Sequence, residues 1–589
     1  MGSSPKPTAY SLQPIFPAMS VTVARSAGFC WGVRRAVDLV LAELKKGRGP
    51  FRVLGPLVHN PQVLQALADR GVECVADTGG VSGGVLFLRT HGTPLEERET
   101  LEGLDARVRD LTCPRVGRAL SLARSRRSEG FDIVVLGDPG HTEVHALRSY
   151  GGGSTFVITG PDDVAALPDL RRPFLISQTT QDTDAFGRTA EAMRARFPGL
   201  ELECTICDST EIRQAELRDL APKADCLVVV GGRDSANTSR LATIGREMGL
   251  PVFLIESDAD LNPSALQGYR KVLLTAGAST PSWVIRRVRG RLLELQGKRV
   301  GKALALLGAA VHGSFHIPAA ALAIGAAGAG VVGDRFWFLP VLSASFALFA
   351  LQTLNSVLES GFYRSSSEQK QGFIRKHRSL LLASAVTALA GSAAVAALLP
   401  PVWGVCLAAS ILLFGIYSLP FLKERGHAPG GLRAVPGSRD ILFALAWAFL
   451  LSVLPSLSVP VRPDVPGLAA WSASIFLLVL GRSLLLDLVD LQSDAVMGRD
   501  TLPLALGWRR SRGLFWACAT LPVLLLGASA ASGTLPPCAL GAVAGSVWLS
   551  AGHILLRATP FPSELSARAA ADGSLFAAGI LTILLTIPG

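Results

Sequence analysis

Long apolar runs are missing from the first half of this chain, and several familiar signatures are missing throughout. Residues 1–20 show no basic stretch followed by an apolar one, so no signal peptide is expected. The nine cysteines (30, 74, 113, 204, 207, 226, 406, 518 and 538) are scattered rather than dense, which excludes a disulfide-stapled secreted scaffold and suits a reducing, cytoplasmic setting with thiolate ligands. No nicotinamide or flavin fingerprint is completed. Gly231-Gly232-Arg233 follows a strand but does not extend to G-x-G-x-x-G, and reads as an ordinary turn. The formal net charge of +11 is not gathered into a nucleic-acid-binding patch; its positions, described below, follow membrane topology instead.

What is present divides sharply. A chain of 589 residues is too long for one core. Up to about Lys298 the composition is mixed; from Ala303 onward Ala, Leu, Val and Gly dominate in long runs. The expected organisation is a disordered extension (1–19), a soluble domain (20–298) and an all-α polytopic membrane domain (299–589). In the soluble half, strands are expected at Val21–Ala24, Val85–Arg89, Ile133–Leu136, Thr155–Ile158, Phe174–Ile176, Cys226–Val230, Val252–Leu254 and Lys271–Thr275. Helical patterns lie near 34–46, 61–70, 114–129, 182–196, 210–220 and 238–248. This alternation predicts an α/β domain with parallel sheets, whose ligands gather at the carboxyl ends of strands.

Polar residues cluster where those ends fall. Gly28-Phe29-Cys30-Trp31-Gly32 places a cysteine between two glycines, after a strand and before a helix. The glycines leave space beside the sulfur, and the helix N-terminus favours thiolate. Cys113 (in Thr112-Cys113-Pro114) and Cys207 (in Cys204-Thr205-Ile206-Cys207) also precede helices. A lone cysteine of this kind is usually structural; three in like settings are not. The close pair Cys204/Cys207 admits zinc, whereas three remote cysteines without a fourth suit a [4Fe-4S] cluster with one open iron. His59, His91 and His141 each stand in a strand-to-helix loop, and Thr179, Thr180, Ser235, Asn237 and Ser279 stand in equivalent ones. Together they form a donor cluster suited to a diphosphate.

These motifs, in this order, resemble the LytB/IspH family of 4-hydroxy-3-methylbut-2-enyl diphosphate reductases over about residues 20–290. The resemblance implies a three-lobed fold and a [4Fe-4S] cluster on Cys30, Cys113 and Cys207, with Cys204 extra. It implies substrate binding by His59, His91, His141, Thr180, Ser235, Asn237 and Ser279, and proton delivery by Glu143 with Thr179. The implied reaction is reductive dehydroxylation to isopentenyl and dimethylallyl diphosphate, with electrons from an external ferredoxin- or flavodoxin-like donor. Three positions depart from the family pattern. Ala236 replaces a hydroxyl donor worth about 0.5–1.5 kcal/mol. Trp31 and Ala146 replace small residues.

After residue 300, apolar runs near 303–331, 337–356, 379–398, 402–419, 441–459, 469–488, 513–532, 536–556 and 570–588 predict nine transmembrane helices. With the soluble half inside, the inner loops carry fifteen Lys and Arg and the outer loops only Arg335 and Arg462, which predicts an inner-membrane protein with its soluble domain in the cytoplasm. Asp487, Asp490 and Asp494 are spaced to share one helix face, where Mg²⁺ holding a diphosphate would relieve their repulsion. This stretch resembles the second Asp-rich motif of the UbiA intramembrane prenyltransferases, as does Tyr417-Ser418-Leu419-Pro420 with Lys423. The first motif of that family is reduced to Asn355 and Glu359, which keep one face of a Mg²⁺ site. The resemblance implies Mg²⁺-dependent transfer of prenyl groups from prenyl diphosphate substrates, in a lipid environment. A different reading makes the membrane half the sole catalyst and the soluble half a cluster-bearing regulatory module.

Overall fold

Val-Leu-Phe-Leu at 85–88 and Cys-Leu-Val-Val-Val at 226–230 are apolar at every position rather than at alternate ones, and both are wholly buried. Strands covered on both faces read this way, and they belong to parallel sheets flanked by helices. The computed structural model describes residues 19–294, 306–332, 338–360, 368–418, 435–457 and 464–586. The expected extension 1–19 lies outside these except for Met19, as do Leu419, Pro420, Lys423, Arg335 and Arg462.

In chain order, β1 (Ser20–Val23) and α1 (Trp31–Lys45) come first. A second lobe follows: β2 (Phe51–Leu54), α2 (Pro61–Ala68), β3 (Val72–Val75), β4 (Val85–Leu88), α3 (Leu95–Glu99), β5 (Arg107–Asp110) and α4 (Pro114–Ser128). A third comprises β6 (Asp132–Leu136), α5 (Thr142–Gly151), β7 (Thr155–Ile158), β8 (Pro173–Ser177), α6 (Thr183–Arg196), β9 (Glu201–Leu202) and α7 (Asp208–Leu220). The chain then returns to the first lobe with β10 (Cys226–Val230), α8 (Ala236–Glu247), β11 (Val252–Ile255), β12 (Lys271–Ala276) and α9 (Ser282–Glu294).

Each lobe holds one four-stranded parallel sheet, with orders β3-β2-β4-β5, β7-β6-β8-β9 and β11-β10-β12-β1. The three orders are the same design, with β1 taking the fourth place in the first lobe. Equivalent loops therefore carry equivalent roles. After the first strand of each lobe come His59, His141 and the Ser235–Asn237 segment. After the third come His91, Thr179 and Ser279, and after the fourth come Cys113, Cys207 and Cys30.

The strands absent from the sequence reading were β2, β3, β5 and β9. Three of these lie at sheet edges; β5 reads Arg-Val-Arg-Asp and β9 has two residues. These three are short, polar or exposed, which leaves no apolar run to read, whereas the edge strands β7 and β11 are apolar and were legible.

The second half is helical. Among the described residues seven helices are long and apolar enough to cross a membrane, or eight if the bent pair Leu306–His312 and His316–Val332 is one span. Nine had been expected. The segment expected at 402–419 is the apolar helix Pro401–Tyr417, shorter than the others. The longest helix, Val465–Met497, runs on past the expected 469–488 and carries its last turns onto the soluble lobes. There Val496 joins the apolar cluster of Val37, Val40 and Leu67. Arg70 donates to the Ala495 carbonyl (3.0 Å), and Arg289 donates to those of Pro560 (3.1 Å) and Phe561 (2.6 Å).

Candidate functional site

The three lobes present their cysteines in one way. Cys30, Cys113 and Cys207 are the N-caps of α1, α4 and α7. Each backbone N–H donates across to the loop after the third strand of a lobe: Cys30 to Ala278, Cys113 to Thr90 and Cys207 to Thr179, all at 3.0 Å. Three helix N-termini thus aim their free N–H groups and positive dipole ends at one region, an arrangement that stabilises thiolate sulfur. The Cys30 sulfur accepts from Val33 N (3.4 Å), and the Cys207 sulfur lies 3.2 Å from the Thr210 hydroxyl. Burial pushes the Cys113 and Cys207 thiols up, and each is raised further by the Cys30 sulfur it faces.

Gly32 keeps this region open. A Cβ there would stand 2.6 Å from the Cys113 sulfur and 3.8 Å from that of Cys30. Among the described residues no three His, Cys, Asp or Glu side chains are placed to hold a single metal ion, and Cys204 is exposed, so zinc on the Cys204/Cys207 pair is not supported. Three N-capping thiols around a gap kept clear by a glycine fit a polynuclear iron–sulfur group.

The imidazoles of His59, His91 and His141 touch one another, with ring centroids 4.3, 5.6 and 5.7 Å apart. Burial lowers all three pKa values, well below the usual range for His91 and to about 4 for His141, and each of these two is lowered further by its His59 neighbour. The cluster is therefore neutral at pH 7. His141 caps α5, its Nδ1 accepting from Glu143 N at 3.1 Å, which leaves the ring proton on Nε2. Ser235 caps α8, and Ser279 donates to the His59 carbonyl at 3.1 Å. His59 Nε2 and Asn237 Oδ1 are buried with no partner among the described residues. Orphaned buried polar atoms are costly, and they mark where a polar ligand belongs.

Glu143 is 1% exposed. Its two oxygens accept from Thr179, one from the backbone N–H at 2.6 Å and the other from the hydroxyl at 2.8 Å. Burial raises its pKa to about 7 against those hydrogen bonds. Thr179 thus links the acid to Cys207 through its own backbone. Thr180 accepts from Gln178 Nε2 at 2.8 Å.

Gly32, expected from the sequence to leave space beside the sulfur, does so. One contributor is not legible there: Arg213, whose buried guanidinium donates to the Gly28 carbonyl and lies in the field of Cys30 and Cys207. In α7 the usual order is inverted: Ile212 is 59% exposed and Arg213 4%, so no apolar pattern flags the arginine.

The membrane carboxylates behave differently. Asp487, Asp490 and Asp494 do line one cavity of about 1150 Å³, with Asn355 and Glu359. Each aspartate, however, is held by an arginine: Asp487 by Arg439 (2.9 Å), Asp490 by Arg286 (2.8 Å) and Asp494 by Arg499 (3.5 Å). Asn355 donates to Glu359 at 3.1 Å. Among the described residues no three His, Cys, Asp or Glu side chains are drawn together here, and guanidinium groups stand beside the aspartates.

The fold and site define an α/β protein of three like lobes, with three N-capping thiols, three mutually packed histidines and a buried acid facing one another. A family model described as "LytB protein" matches residues 21–293. The 4-hydroxy-3-methylbut-2-enyl diphosphate reductase of Geotalea uraniireducens (strain Rf4) is 38% identical over 270 residues, covering 46% of this chain and 95% of that one. The reductase of Anaeromyxobacter sp. (strain Fw109-5) is 39% identical over 275 residues, covering 46% and 97%. The chain belongs to the LytB family. A solved structure titled as a UbiA homolog from Aeropyrum pernix K1 aligns at 15% identity and TM-score 0.31, covering 45% of this chain and 96% of that one.

Proposed function

We propose that the soluble half removes the hydroxyl of (E)-4-hydroxy-3-methylbut-2-enyl diphosphate to give isopentenyl and dimethylallyl diphosphate. The observation that carries this is the meeting of three N-capping cysteines, three mutually packed histidines and one buried, hydrogen-bonded glutamic acid at the junction of the lobes. When bound by Cys30, Cys113 and Cys207, a [4Fe-4S] group supplies two electrons, taken from an external ferredoxin- or flavodoxin-like donor, and a Lewis acid for the hydroxyl oxygen.

The chain's own residues do the rest. His59, His91, His141, Thr180, Ser235, Asn237 and Ser279 offer donors to the diphosphate, and the orphaned Nε2 of His59 gains a partner. Glu143, with a pKa near neutrality, holds a proton and gives it to the departing hydroxyl, which leaves as water. Thr179 fixes both carboxyl oxygens of Glu143, so the acid keeps one orientation. A second proton ends on the allylic carbon, which balances the two electrons. Burial excludes bulk water from Glu143.

The membrane half is read as a module for phosphate-bearing isoprenoid lipids in the cytoplasmic membrane, with the lobes on the cytoplasmic face. The asymmetry of Lys and Arg between its loops supports that placement, as does the packing of the lobes on the C-terminal turns of the longest helix. Spectroscopy tests the soluble site. Anaerobically reconstituted protein should show iron–sulfur visible absorbance that shifts when the hydroxylated diphosphate is added. Cys113→Ser protein with unchanged absorbance would contradict the ligand assignment.

A further inference from the structure

The cavity among the membrane helices is closed at its polar end by the reductase half. Arg286 and Trp283 of α9 line it, and Arg286 spans the two halves: one nitrogen pairs with Asp490 at 2.8 Å and the other donates to the Val489 carbonyl at 2.9 Å. The neighbouring Ser282 N–H donates to Gln492 at 3.1 Å, so the first turn of α9 is fixed on the same stretch of membrane helix. Around this end stand Lys370, Arg439, Arg499 and Arg568.

The other end of the cavity is apolar. Leu413, Leu442, Leu445 and Phe449 line it, and Leu413 and Leu445 are 65% and 49% exposed, which opens that end sideways to where acyl chains would lie. A cavity with a guanidinium-rich polar end and an apolar side opening suits an amphiphile with an anionic head and a hydrocarbon tail. Guanidinium groups bind phosphate oxygens in pairs without a metal.

We propose that this cavity is a composite site for a phosphate-headed lipid, in which Arg286, contributed by the reductase half, engages the head group and no divalent cation is needed. This rests on the lipid-module reading of the membrane half and narrows it. In the ligand-free protein the arginines are held in place by Asp487, Asp490 and Asp494. The lipid phosphate shares or takes over those guanidinium groups on entry. The two halves are therefore one binding unit, and the reductase half sets the affinity of the membrane site.

The test uses the full chain in nanodiscs with two probes, farnesyl diphosphate and phosphatidic acid, each titrated in EDTA and in Mg²⁺. The expected result is that at least one probe binds in EDTA within about threefold of its affinity in Mg²⁺. Arg286→Gln should weaken that binding by about tenfold or more, and Arg286→Lys should restore part of it, while iron content and visible absorbance stay at wild-type values. Metal-independent binding of phosphatidic acid alone supports the composite site and removes the isoprenoid specificity. Farnesyl diphosphate binding seen only with Mg²⁺ overturns the proposal and leaves the isoprenoid reading standing. Binding unaffected by Arg286→Gln overturns the role of the reductase half, and binding of neither probe overturns both readings.

Discussion

At the scale of single residues, the site depends on what burial does to ordinary side chains. Glu143 would be a fully ionised surface carboxylate at pH 7, but enclosure raises its pKa to about 7 and leaves a protonated fraction to donate. An acid must be protonated to act, so turnover should fall as pH rises through about 7. Glu143→Gln, which keeps one oxygen to accept from the Thr179 N–H but has no acidic proton, should lower kcat by about 10²–10⁴-fold and abolish that alkaline limb. A pH–rate profile of both proteins checks this. Ala236 gives an opposite test. It opens α8 between Ser235 and Asn237 and brings no donor to the cleft. Ala236→Ser should tighten diphosphate binding by about 0.5–1.5 kcal/mol, or roughly 2- to 12-fold, measured by calorimetry. Trp31, beside the first cysteine, needs no compensation because it is 64% exposed and points into solvent.

At the scale of elements, helix starts carry the chemistry. Cys30, Cys113, Cys207, His141 and Ser235 all occupy N-cap positions, so their side chains and the free N–H groups of the first turn face the same space. Gly32→Ala places a Cβ against the Cys113 sulfur in the first turn of α1. Iron content should collapse while circular dichroism stays as in wild type, since the helix tolerates alanine. The histidine loops predict proton uptake. With pKa values lowered in the free protein, the cluster is neutral at pH 7; a bound diphosphate raises those values, so binding takes up protons and the protein's contribution to affinity grows as pH falls below 7 toward the lowered values. Calorimetry in buffers of different ionisation enthalpy measures the uptake, which His141→Asn should reduce.

Much of this scale was legible in the sequence. The buried strands β4, β6, β8 and β10 announce themselves by unbroken apolar runs, and each is followed by the polar loop that builds the site. The edge strands β3, β5 and β9, and α9, were not legible. β5 is largely charged and exposed, and α9 carries its functional arginines on a surface that only the membrane half covers. The threefold repetition of strand order was hidden as well, because the first lobe is assembled from both ends of the soluble segment.

At the scale of the whole molecule, the two halves meet on a surface that neither half shows alone. The aspartate motif at 487–494 reads as a metal site in one dimension; in three, Arg439, Arg286 and Arg499 stand beside its carboxylates, and Arg286 comes from about two hundred residues earlier. Spacing along a helix places the carboxylates on one face but says nothing of the cations opposite. On the other side of the interface, Gln492 and Phe561 reach the loop bearing Cys30, so the membrane half also borders the proposed cluster site. The central claim is nevertheless the reaction at that centre. The most direct measurement supplies the full-length, anaerobically reconstituted protein with dithionite, a viologen mediator and (E)-4-hydroxy-3-methylbut-2-enyl diphosphate, and follows the products by mass spectrometry. The account predicts isopentenyl and dimethylallyl diphosphate; a protein with its iron loaded and its absorbance intact that forms neither would contradict it.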